Sequence, residues 1–248
     1  MARGVSAMLN VGSPRKRVVL MQPYLLPYLG YYQLLGAADL FVSYDTAQFI
    51  KNGWIERNRY LLDGEPRWFS VALEKSSHTA PILRKRISKV FDVRGILNKL
   101  ANAYRKAPNA PFVLSWLQPL LEEPASSIAE LNVRMLKASC DLIGVTTPII
   151  SASELGDGVG LSGQARVLEL MTAVGASHYL NPSAGAFLYD SDTFSAAGMQ
   201  LQLLQARLPS YQQGSHEFLP GLSILDALMF NPAHTVGEWA RQGIVKNA

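Results

Sequence analysis

The sequence predicts an α/β fold: a mainly parallel sheet flanked by helices, with a helical insertion in the middle of the chain. Two observations support this prediction. Short apolar runs alternate with segments of helical periodicity in the first and last thirds of the sequence, which is typical of β-α-β units. The middle third instead carries apolar residues at three- and four-residue spacing, which is typical of helices that pack against a core.

The N-terminal third predicts a strand-helix-strand unit. An apolar run, RVVLMQ, is closed by Pro23, and Pro27 and Gly30 then mark a loop before a short helix. A second run, LFVSY, ends at Asp45, and RWFSVAL alternates as a third strand would. We expect strands at 17–22, 40–44 and 67–73 and a helix at 31–38. The first two strands of such a unit normally lie parallel and adjacent.

The remaining elements follow from the same periodicities. The insertion at about 85–143 is expected to hold helices at 94–106, 111–121 and 127–143. The last third is expected to hold strands at 148–151, 177–180 and 199–205 and helices at 162–174, 192–197 and 222–229. Together these elements predict a Rossmann-like sheet. Cys140 lies on the apolar stripe of its helix, so we expect it in the core and not as a reactive thiol.

Composition limits the class of protein. A hydrophobic fraction of 48% and a charged fraction of 17% are ordinary for a packed soluble chain. No run of about 18 apolar residues is present, so no membrane span is expected. Residues 1–16 lack the apolar run of a secretory signal, and we expect a disordered leader there, one domain at 17–248, and a cytoplasmic location.

Neither metal nor nucleic-acid binding is indicated by the residue pattern. Cys140 is the single cysteine and the histidines show no metal-ligand spacing, so we expect no metal site. The aromatics follow no known nucleic-acid-binding motif, so no nucleic-acid partner is expected except an aminoacyl-tRNA that serves as a donor. The net charge of +4 comes partly from residues 84–86. That segment is either a solvated face or an attractant for an anionic small-molecule or carrier-bound substrate.

A ligand site is predicted where the first two strands end. In open parallel sheets, ligands bind outside the carboxyl ends of the strands, so Gln22 and Asp45 should lie side by side. Gln22 offers both donor and acceptor, and Asp45 suits an amine, a cation or a sugar hydroxyl. The loop between them adds Pro23, Tyr28, Gly30 and Tyr31 at the start of the helix. The alternative is a structural cap for Asp45 and Gln22 and a core position for Tyr32.

A cationic and aromatic segment follows directly, in DTAQFIKNGWIERNRY. We expect its side chains to bind an anionic group and a sugar ring or base: Gln48, Lys51, Trp54, Arg57, Asn58 and Arg59. Ion pairing of these cations with Glu56 is the alternative. Outside the carboxylates, His216 in a polar loop is the one plausible general base. No nucleophile elbow, P-loop or dinucleotide motif occurs.

Four segments of the chain resemble the WbqC-like protein family, and together they extend from about Val18 to Asn231. They are MQPYLLPYLGYYQLLGAADLFVSYDTAQFIKNGWIERNRY, AYRKAPNA, SHYLNPSAGAFLYD and FLPGLSILDALMF. The resemblance implies a role in surface-polysaccharide or O-antigen biosynthesis or another specialised pathway, and some members carry a label as glycine or aminoacyl transferases. It also implies substrate contacts for Arg166 and Tyr211.

The chain departs from the family pattern at several positions. Gly163 and Gln164 stand where a Lys-Thr-like pair is usual, Asn181-Pro182 replaces a Ser-Gly-rich loop, and Pro232 follows Asn231 in place of glycine. A fainter similarity is to nucleotidyltransferases that carry His-x-Gly-His, with Tyr28 and Tyr31 at the positions of the two histidines. That alternative implies ATP and Mg²⁺ as cofactors.

These observations favour an enzyme that transfers an acyl or aminoacyl group onto an amino sugar or related amine. In this hypothesis Asp45 holds the amine or acts as its base, with Gln22, Tyr31 and His216 as further candidate catalytic groups. Two alternatives remain open: an ATP-dependent nucleotidyltransferase or ligase with a degenerate site, and a non-catalytic binding module of the same pathway. The sequence does not identify the donor, the acceptor or the oligomeric state.

Overall fold

The computed structural model describes residues 16–156, 160–215 and 217–248. Of the expected leader, only Lys16 lies within this range; its backbone N–H donates to Ser177 Oγ and its ammonium to the Val174 carbonyl. His216, the candidate general base, lies outside the described residues.

The predicted α/β class is confirmed by a six-stranded, mainly parallel sheet with the strand order β5-β2-β1-β6-β7-β8. Its strands are β1 (Arg17–Met21), β2 (Leu40–Ser43), β5 (Ile149–Ser151), β6 (His178–Pro182), β7 (Gln200–Gln205) and β8 (Ile244–Asn247). β1 and β2 pair in parallel as predicted, with Met21 opposite Ser43, whereas β8 runs antiparallel to β7. The order reverses between β1 and β6, which makes that point the topological switch of the sheet.

The third predicted strand belongs to a separate hairpin and not to the main sheet. β3 (Arg57–Leu62) pairs antiparallel with β4 (Glu65–Ser70), with Leu62 opposite Glu65. Asp63 and Gly64 form the turn, and both have a positive φ, of 53° and 79°. An Asp-Gly pair between apolar runs is a strong hairpin signal because two-residue turns need positive φ at both positions. The prediction missed β3 because its polar residues were assigned to a ligand site.

The predicted helical insertion is present between β4 and β5. The helices are α1 (Leu29–Gly36), α2 (Val93–Ala103), α3 (Ala110–Glu122), α4 (Ile128–Ile143), α5 (Gly163–Ala173), α6 (Ser191–Ala196), α7 (Ile224–Phe230) and α8 (Ala233–Trp239). α8 and the strand β8 were not predicted. Cys140 is 3% exposed and lies in the core, as expected. Its thiol pKa is raised to about 12, mainly by burial and to a smaller extent by the negative charge of the neighbouring Asp141.

The main sheet is covered on both faces, and alternate residues of β1 point to opposite cores. Val19 packs in the larger core with α1, the hairpin and the inserted helices, whereas Val18 and Leu20 pack with α5 and α6. Burial on both faces explains why the parallel strands are almost wholly apolar in sequence. The larger core places the hairpin next to the loop that follows β1.

That loop, residues 22–28, is held through its backbone carbonyls by buried side chains. Asn58 Nδ2 donates to the carbonyls of Leu25 and Leu26, each at 2.8 Å, and Ser223 Oγ donates to the same Leu26 oxygen at 2.8 Å. Asn132 Nδ2 donates to the carbonyls of Pro23 and Ile55, each at 2.8 Å. Leu26 has a φ of 43°, which is unfavourable for a leucine. Contacts from several parts of the fold therefore fix the conformation of this loop.

Replacing Asn132 with alanine should destabilise the protein by about 2–3 kcal/mol, because two buried carbonyls lose their donor and water cannot replace it. Asn132 is fully buried on α4, so the exposed Lys137 on the same helix provides a matched control, for which Lys137→Ala should change stability little. Urea unfolding followed by circular dichroism measures both. Equal stability of the two variants would show that the loop does not depend on this amide.

Candidate functional site

A cavity of about 240 Å³ lies between the 22–28 loop and the start of the hairpin. We name it the aromatic–arginine pocket; its lining residues are Tyr24, Pro27, Tyr28, Trp54, Asn58, Arg59 and Gly221. The sequence prediction named four of these as ligand contacts: Tyr28, Trp54, Asn58 and Arg59. The fold thus brings together residues of the N-terminal motif from Tyr24 to Arg59 and adds Gly221 from a distant segment.

Arg59 supplies the positive charge of this pocket. Its Cζ lies 5.3 Å from the ring centre of Trp54 and 5.9 Å from that of Trp68, and its Nη2 donates to the Gly221 carbonyl at 3.2 Å. The Nε is buried and has no hydrogen-bond partner among the described residues. No carboxylate among the described residues forms an ion pair with Arg59. A guanidinium with unused donors, held between aromatic rings, is suited to a carboxylate or phosphate.

Two tryptophans extend the pocket onto the surface of the hairpin. Trp54 and Trp68 are 37% and 42% exposed, and their ring centres are 5.3 Å apart. Trp68 lies opposite Arg59 across the hairpin, and Arg57 Cζ lies 4.1 Å from its ring centre. A planar ring of a ligand stacks well on such exposed faces. The pocket therefore combines a flat aromatic wall with an anion-binding group.

Arg57 and Asn58 have structural roles that the sequence did not indicate. The Arg57 guanidinium donates to the carbonyls of Asn52 and Gly53, so it stabilises the turn before β3. Asn58 is 2% exposed, and its oxygen accepts from the Arg59 N–H while its amide holds the 22–28 loop. Among the described residues, neither Arg57 nor Arg59 forms the ion pair with Glu56 that was the alternative prediction.

Gly30 permits the position of the Tyr28 ring. A side-chain carbon at residue 30 would lie 2.4 Å from Tyr28 Cε2, so any larger residue displaces this wall of the pocket. Burial raises the pKa of Tyr28, and burial together with Tyr28 raises that of Tyr24. Both phenols therefore stay protonated at neutral pH and can donate hydrogen bonds.

The predicted rim residues lie at one edge of the sheet, but their side chains are used differently. Tyr31 is 1% exposed and its hydroxyl donates to the Gln22 carbonyl at 2.6 Å, so it is a core residue that positions the loop. Asp45 is 5% exposed; its Oδ1 accepts from the Ser153 N–H at 3.0 Å and its Oδ2 from the Ser153 hydroxyl at 2.5 Å. Asp45 lines a different cavity, of about 480 Å³, together with Ser127 and Lys137.

The remaining predicted contacts lie elsewhere. Gln48 is exposed, and its amide approaches the His78 carbonyl at 3.4 Å. Lys51 lines a cavity of about 500 Å³ on another side of the same segment. The Pro23 carbonyl accepts from Asn132. Arg166 is 3% exposed and bonds to Glu169 and the Gly156 carbonyl, so it anchors the start of α5.

Tyr211 belongs to a buried cluster around Asp226 behind the hairpin. The Asp226 carboxylate is 0% exposed and accepts hydrogen bonds from Tyr211 and Gln213, each at 2.6 Å, and from Tyr104 at 2.9 Å. The Tyr104 hydroxyl in turn accepts from the Leu61 N–H of β3 at 3.1 Å. Burial raises the pKa of Asp226, and the three donors oppose that shift. The cluster links α7 to the hairpin that carries Arg59.

Sequence reasoning missed Tyr24, Trp68 and Gly221 as pocket residues. Trp68 was detectable, because the Asp63-Gly64 turn sets the register that places it opposite Arg59. Gly221 was not, because it reaches the pocket through a tertiary contact between residues 162 positions apart. Gly221 has a φ of 73°, a conformation that favours glycine.

Comparison with known proteins identifies relatives of this chain. The sequence profile of the WbqC-like protein family matches residues 22–238, a range that contains both the aromatic–arginine pocket and the Asp226 cluster. The chain belongs to the WbqC-like protein family. One relative is uncharacterized protein Rv1507c of Mycobacterium tuberculosis (strain ATCC 25618 / H37Rv), 27% identical over 232 residues, which cover 91% of this chain and 98% of that protein. No solved structure gives a significant match to this WbqC-like chain.

The described residues contain neither a cluster suited to a metal ion nor a helix suited to cross a membrane. Within them, no group of three or more histidine, cysteine, aspartate or glutamate side chains is placed to hold a metal ion. No helix of this WbqC-like protein, in the part of the chain that is described, has the length and apolar character needed to cross a membrane.

The buried Asp226 predicts a specific pH dependence of stability. Because burial raises the pKa of Asp226 above its unfolded value, the folded state binds more protons between these two values. The free energy of unfolding should therefore fall as the pH rises from the ordinary aspartate range through the raised pKa. Asp226→Asn should remove this component.

Urea unfolding of the wild type and the variant at several acidic pH values gives the difference in stability. We expect this difference, wild type minus variant, to decrease with rising pH. A difference that grows with pH would show that the three hydrogen bonds outweigh burial and lower the pKa of Asp226.

Proposed function

We propose that this WbqC-like protein is an acyl or aminoacyl transferase that acts on an amino sugar or related amine. The observation that carries the proposal is the aromatic–arginine pocket, in which Arg59 has a buried, unused Nε–H donor beside exposed tryptophan rings. A pocket of about 240 Å³ suits one ring with an attached anionic group. We assign it to the anionic part of a small-molecule or carrier-bound donor.

The second half of the proposal places the transfer at the sheet rim. The 22–28 loop begins at the carboxyl end of β1, and its Tyr24, Pro27 and Tyr28 line the aromatic–arginine pocket, so the donor must be long enough to reach from this pocket to Gln22. Gln22 then orients the reacting carbonyl, and Asp45 holds the acceptor ammonium and accepts its proton. Tyr31 acts as a positioning residue through the Gln22 carbonyl.

Direct attack by the acceptor amine is the chemistry that these groups support. In direct attack the amine nitrogen forms a bond to the donor carbonyl carbon, the bond from that carbon to the carrier sulfur or oxygen breaks, and the proton taken from the amine passes to the leaving thiolate or alkoxide. This transfer needs no protein nucleophile, only a base that relays the proton and a hydrogen-bond donor for the developing oxyanion. Asp45 is the proposed base, and the Gln22 amide is the proposed donor. The proposed pathway is surface-polysaccharide or related specialised biosynthesis, as the family resemblance implies, and the proposed location is the cytoplasm.

A second candidate, an ATP-dependent nucleotidyltransferase or ligase, is favoured by the topology of the sheet. The strand order reverses between β1 and β6, and nucleotides bind at such switch points in open parallel sheets. The similarity to nucleotide-binding proteins is one of fold alone, and no residue of this chain is assigned to the phosphates. ATP binding with release of pyrophosphate would establish it in place of acyl transfer.

Arg59→Ala should weaken binding of an anionic, ring-containing ligand by about 10- to 100-fold, because a charge-assisted hydrogen bond and a stacking partner are lost together. It should also reduce the salt dependence of binding. Suitable probes are coenzyme A and uridine diphosphate, titrated by calorimetry at two salt concentrations.

The matched control for this experiment is Arg67→Ala. Arg67 is an exposed arginine on β4, next to Trp68 in sequence and therefore on the other face of the hairpin. If both variants lose affinity equally, the effect is one of net charge and the pocket assignment is wrong.

Asp45→Asn should lower the turnover number by about 10²- to 10⁴-fold and change the melting temperature little. Asparagine can keep both contacts to Ser153 but cannot accept the amine proton. Product formation from panels of acyl and aminoacyl donors with amino-sugar acceptors, followed by mass spectrometry, is the readout. Full turnover in this variant would leave Asp45 with a structural role alone.

A further inference from the structure

A second cavity, of about 500 Å³, lies on another side of the segment that forms the aromatic–arginine pocket. We name it the Glu56–Lys85 cavity; its charged and aromatic lining consists of Phe49, Lys51, Glu56, Glu74, Lys75, His78 and Lys85. Residues 49–59 thus contribute walls to both cavities, with Trp54 and Arg59 in the first and Phe49 and Glu56 in the second. The function proposed above uses only the first.

Glu56 presents a buried carboxylate oxygen without a partner. The residue is 9% exposed, and its Oε1 accepts from the Asn52 N–H at 2.6 Å. The other oxygen, Oε2, is buried and receives no hydrogen bond from any described residue. Buried polar atoms in native proteins almost always have a partner, and a lone carboxylate oxygen is among the most costly exceptions. The position of Glu56 in the wall of a cavity points to a donor supplied from outside the chain.

Lys85 is the opposite charge in the same cavity. It is 5% exposed, and its ammonium donates to Ser76 Oγ at 2.9 Å and to the Ser77 carbonyl at 2.7 Å. An ammonium carries three N–H donors, so one remains. The ammonium also lies 4.7 Å from the ring centre of Phe49, and across the described ranges no carboxylate forms an ion pair with it. Lys85 belongs to the segment for which the sequence predicts either a solvated positive face or an attractant for an anionic substrate, and its neighbours Arg84 and Arg86 are exposed.

The two charged groups share a wall but do not neutralise each other, and this arrangement selects the ligand. A simple anion would meet the Glu56 carboxylate, and a simple cation would meet the Lys85 ammonium. A molecule with an ammonium at one end and a carboxylate or phosphate at the other satisfies both groups at once. The exposed Lys51 and Lys75 at the cavity wall add attraction for the anionic end.

We propose that the Glu56–Lys85 cavity binds a small amine-bearing anion, with the ligand ammonium on Glu56 Oε2 and the ligand anionic group on Lys85. Free amino acids and phosphorylated amino sugars share this chemistry. The assignment stands on the cavity and does not need the transfer reaction.

Binding of matched small molecules to the full chain tests this proposal. The probes are L-alanine and glucosamine 6-phosphate for the two ligand sources, compared with L-lactate and glucose 6-phosphate, which replace the amine with a hydroxyl. L-Alaninamide keeps the amine and removes the carboxylate. We expect at least one amine-bearing anion to bind in calorimetric titration and its amine-free analogue to bind about 10- to 100-fold more weakly, since a charge-assisted contact is lost.

Substitutions locate the site. Glu56→Gln keeps the size of the side chain and should weaken the bound probe about 10- to 100-fold without lowering the melting temperature, because an unpaired buried charge is removed. Glu74→Gln is the matched control: Glu74 lines the same cavity but is exposed, so affinity should change less than threefold, as screening by water predicts. Arg59→Ala should leave the affinity for L-alanine, which has no ring, unchanged, and this separates the cavity from the aromatic–arginine pocket.

Three results would overturn the proposal. None of the amine-bearing anions binds at millimolar concentration; the amine-free analogues bind equally well; or Glu56→Gln binds the probe as the wild type does. If Arg59→Ala alone abolishes probe binding, the amine-bearing ligand belongs to the aromatic–arginine pocket instead. Loss of the transfer reaction with intact probe binding would reject the proposed function and leave this site in place.

Discussion

The fold around the candidate site depends on one requirement: the buried backbone carbonyls of the 22–28 loop must each find a hydrogen-bond donor. The side chains that donate to these carbonyls come from three other parts of the chain. Asn58 comes from the hairpin, Asn132 from the helical insertion, and Ser223 from the segment before α7. An unpaired buried carbonyl costs about 1–3 kcal/mol, so these side chains together tie distant parts of the chain to the end of β1. The loop lies where ligands bind in open parallel sheets, and this anchoring holds it rigid there.

The same anchoring separates the polar residues of the N-terminal motif into two groups. Asn58 and Arg57 satisfy backbone groups, which leaves them little capacity for a ligand. Arg59 keeps unused donors because its main contacts are with the rings of Trp54 and Trp68. Asn58 lies on the opposite face of β3 from Arg59, whereas Arg57 lies on the same face as Arg59 and differs from it by its hydrogen bonds to the Asn52 and Gly53 carbonyls. A motif rich in amides and cations therefore indicates a scaffold as well as a site.

Buried charge is distributed unevenly in this protein, and the distribution separates structural groups from candidate functional ones. Asp226 is fully buried but accepts hydrogen bonds from Tyr104, Tyr211 and Gln213, so its burial is compensated within the fold. Glu56 is also buried, and one of its oxygens has no such partner among the described residues. Both carboxylates lie near the hairpin, yet only Glu56 lines a large cavity. The difference in hydrogen bonding, and not burial itself, marks Glu56 as a candidate ligand contact.

The sequence by itself determined the α/β class, the parallel pairing of β1 with β2, the helical insertion and the core position of Cys140, because apolar periodicity records which faces are buried. It also placed Tyr28, Trp54 and Arg59 in one candidate site, since they lie within one continuous motif. Only the tertiary structure decided that Asn58 anchors a loop, that Lys85 is buried, and that Gly221 and Trp68 complete the pocket. These outcomes depend on contacts between segments far apart in the chain and on hydrogen bonds to backbone groups, and neither leaves a periodic signal in the sequence.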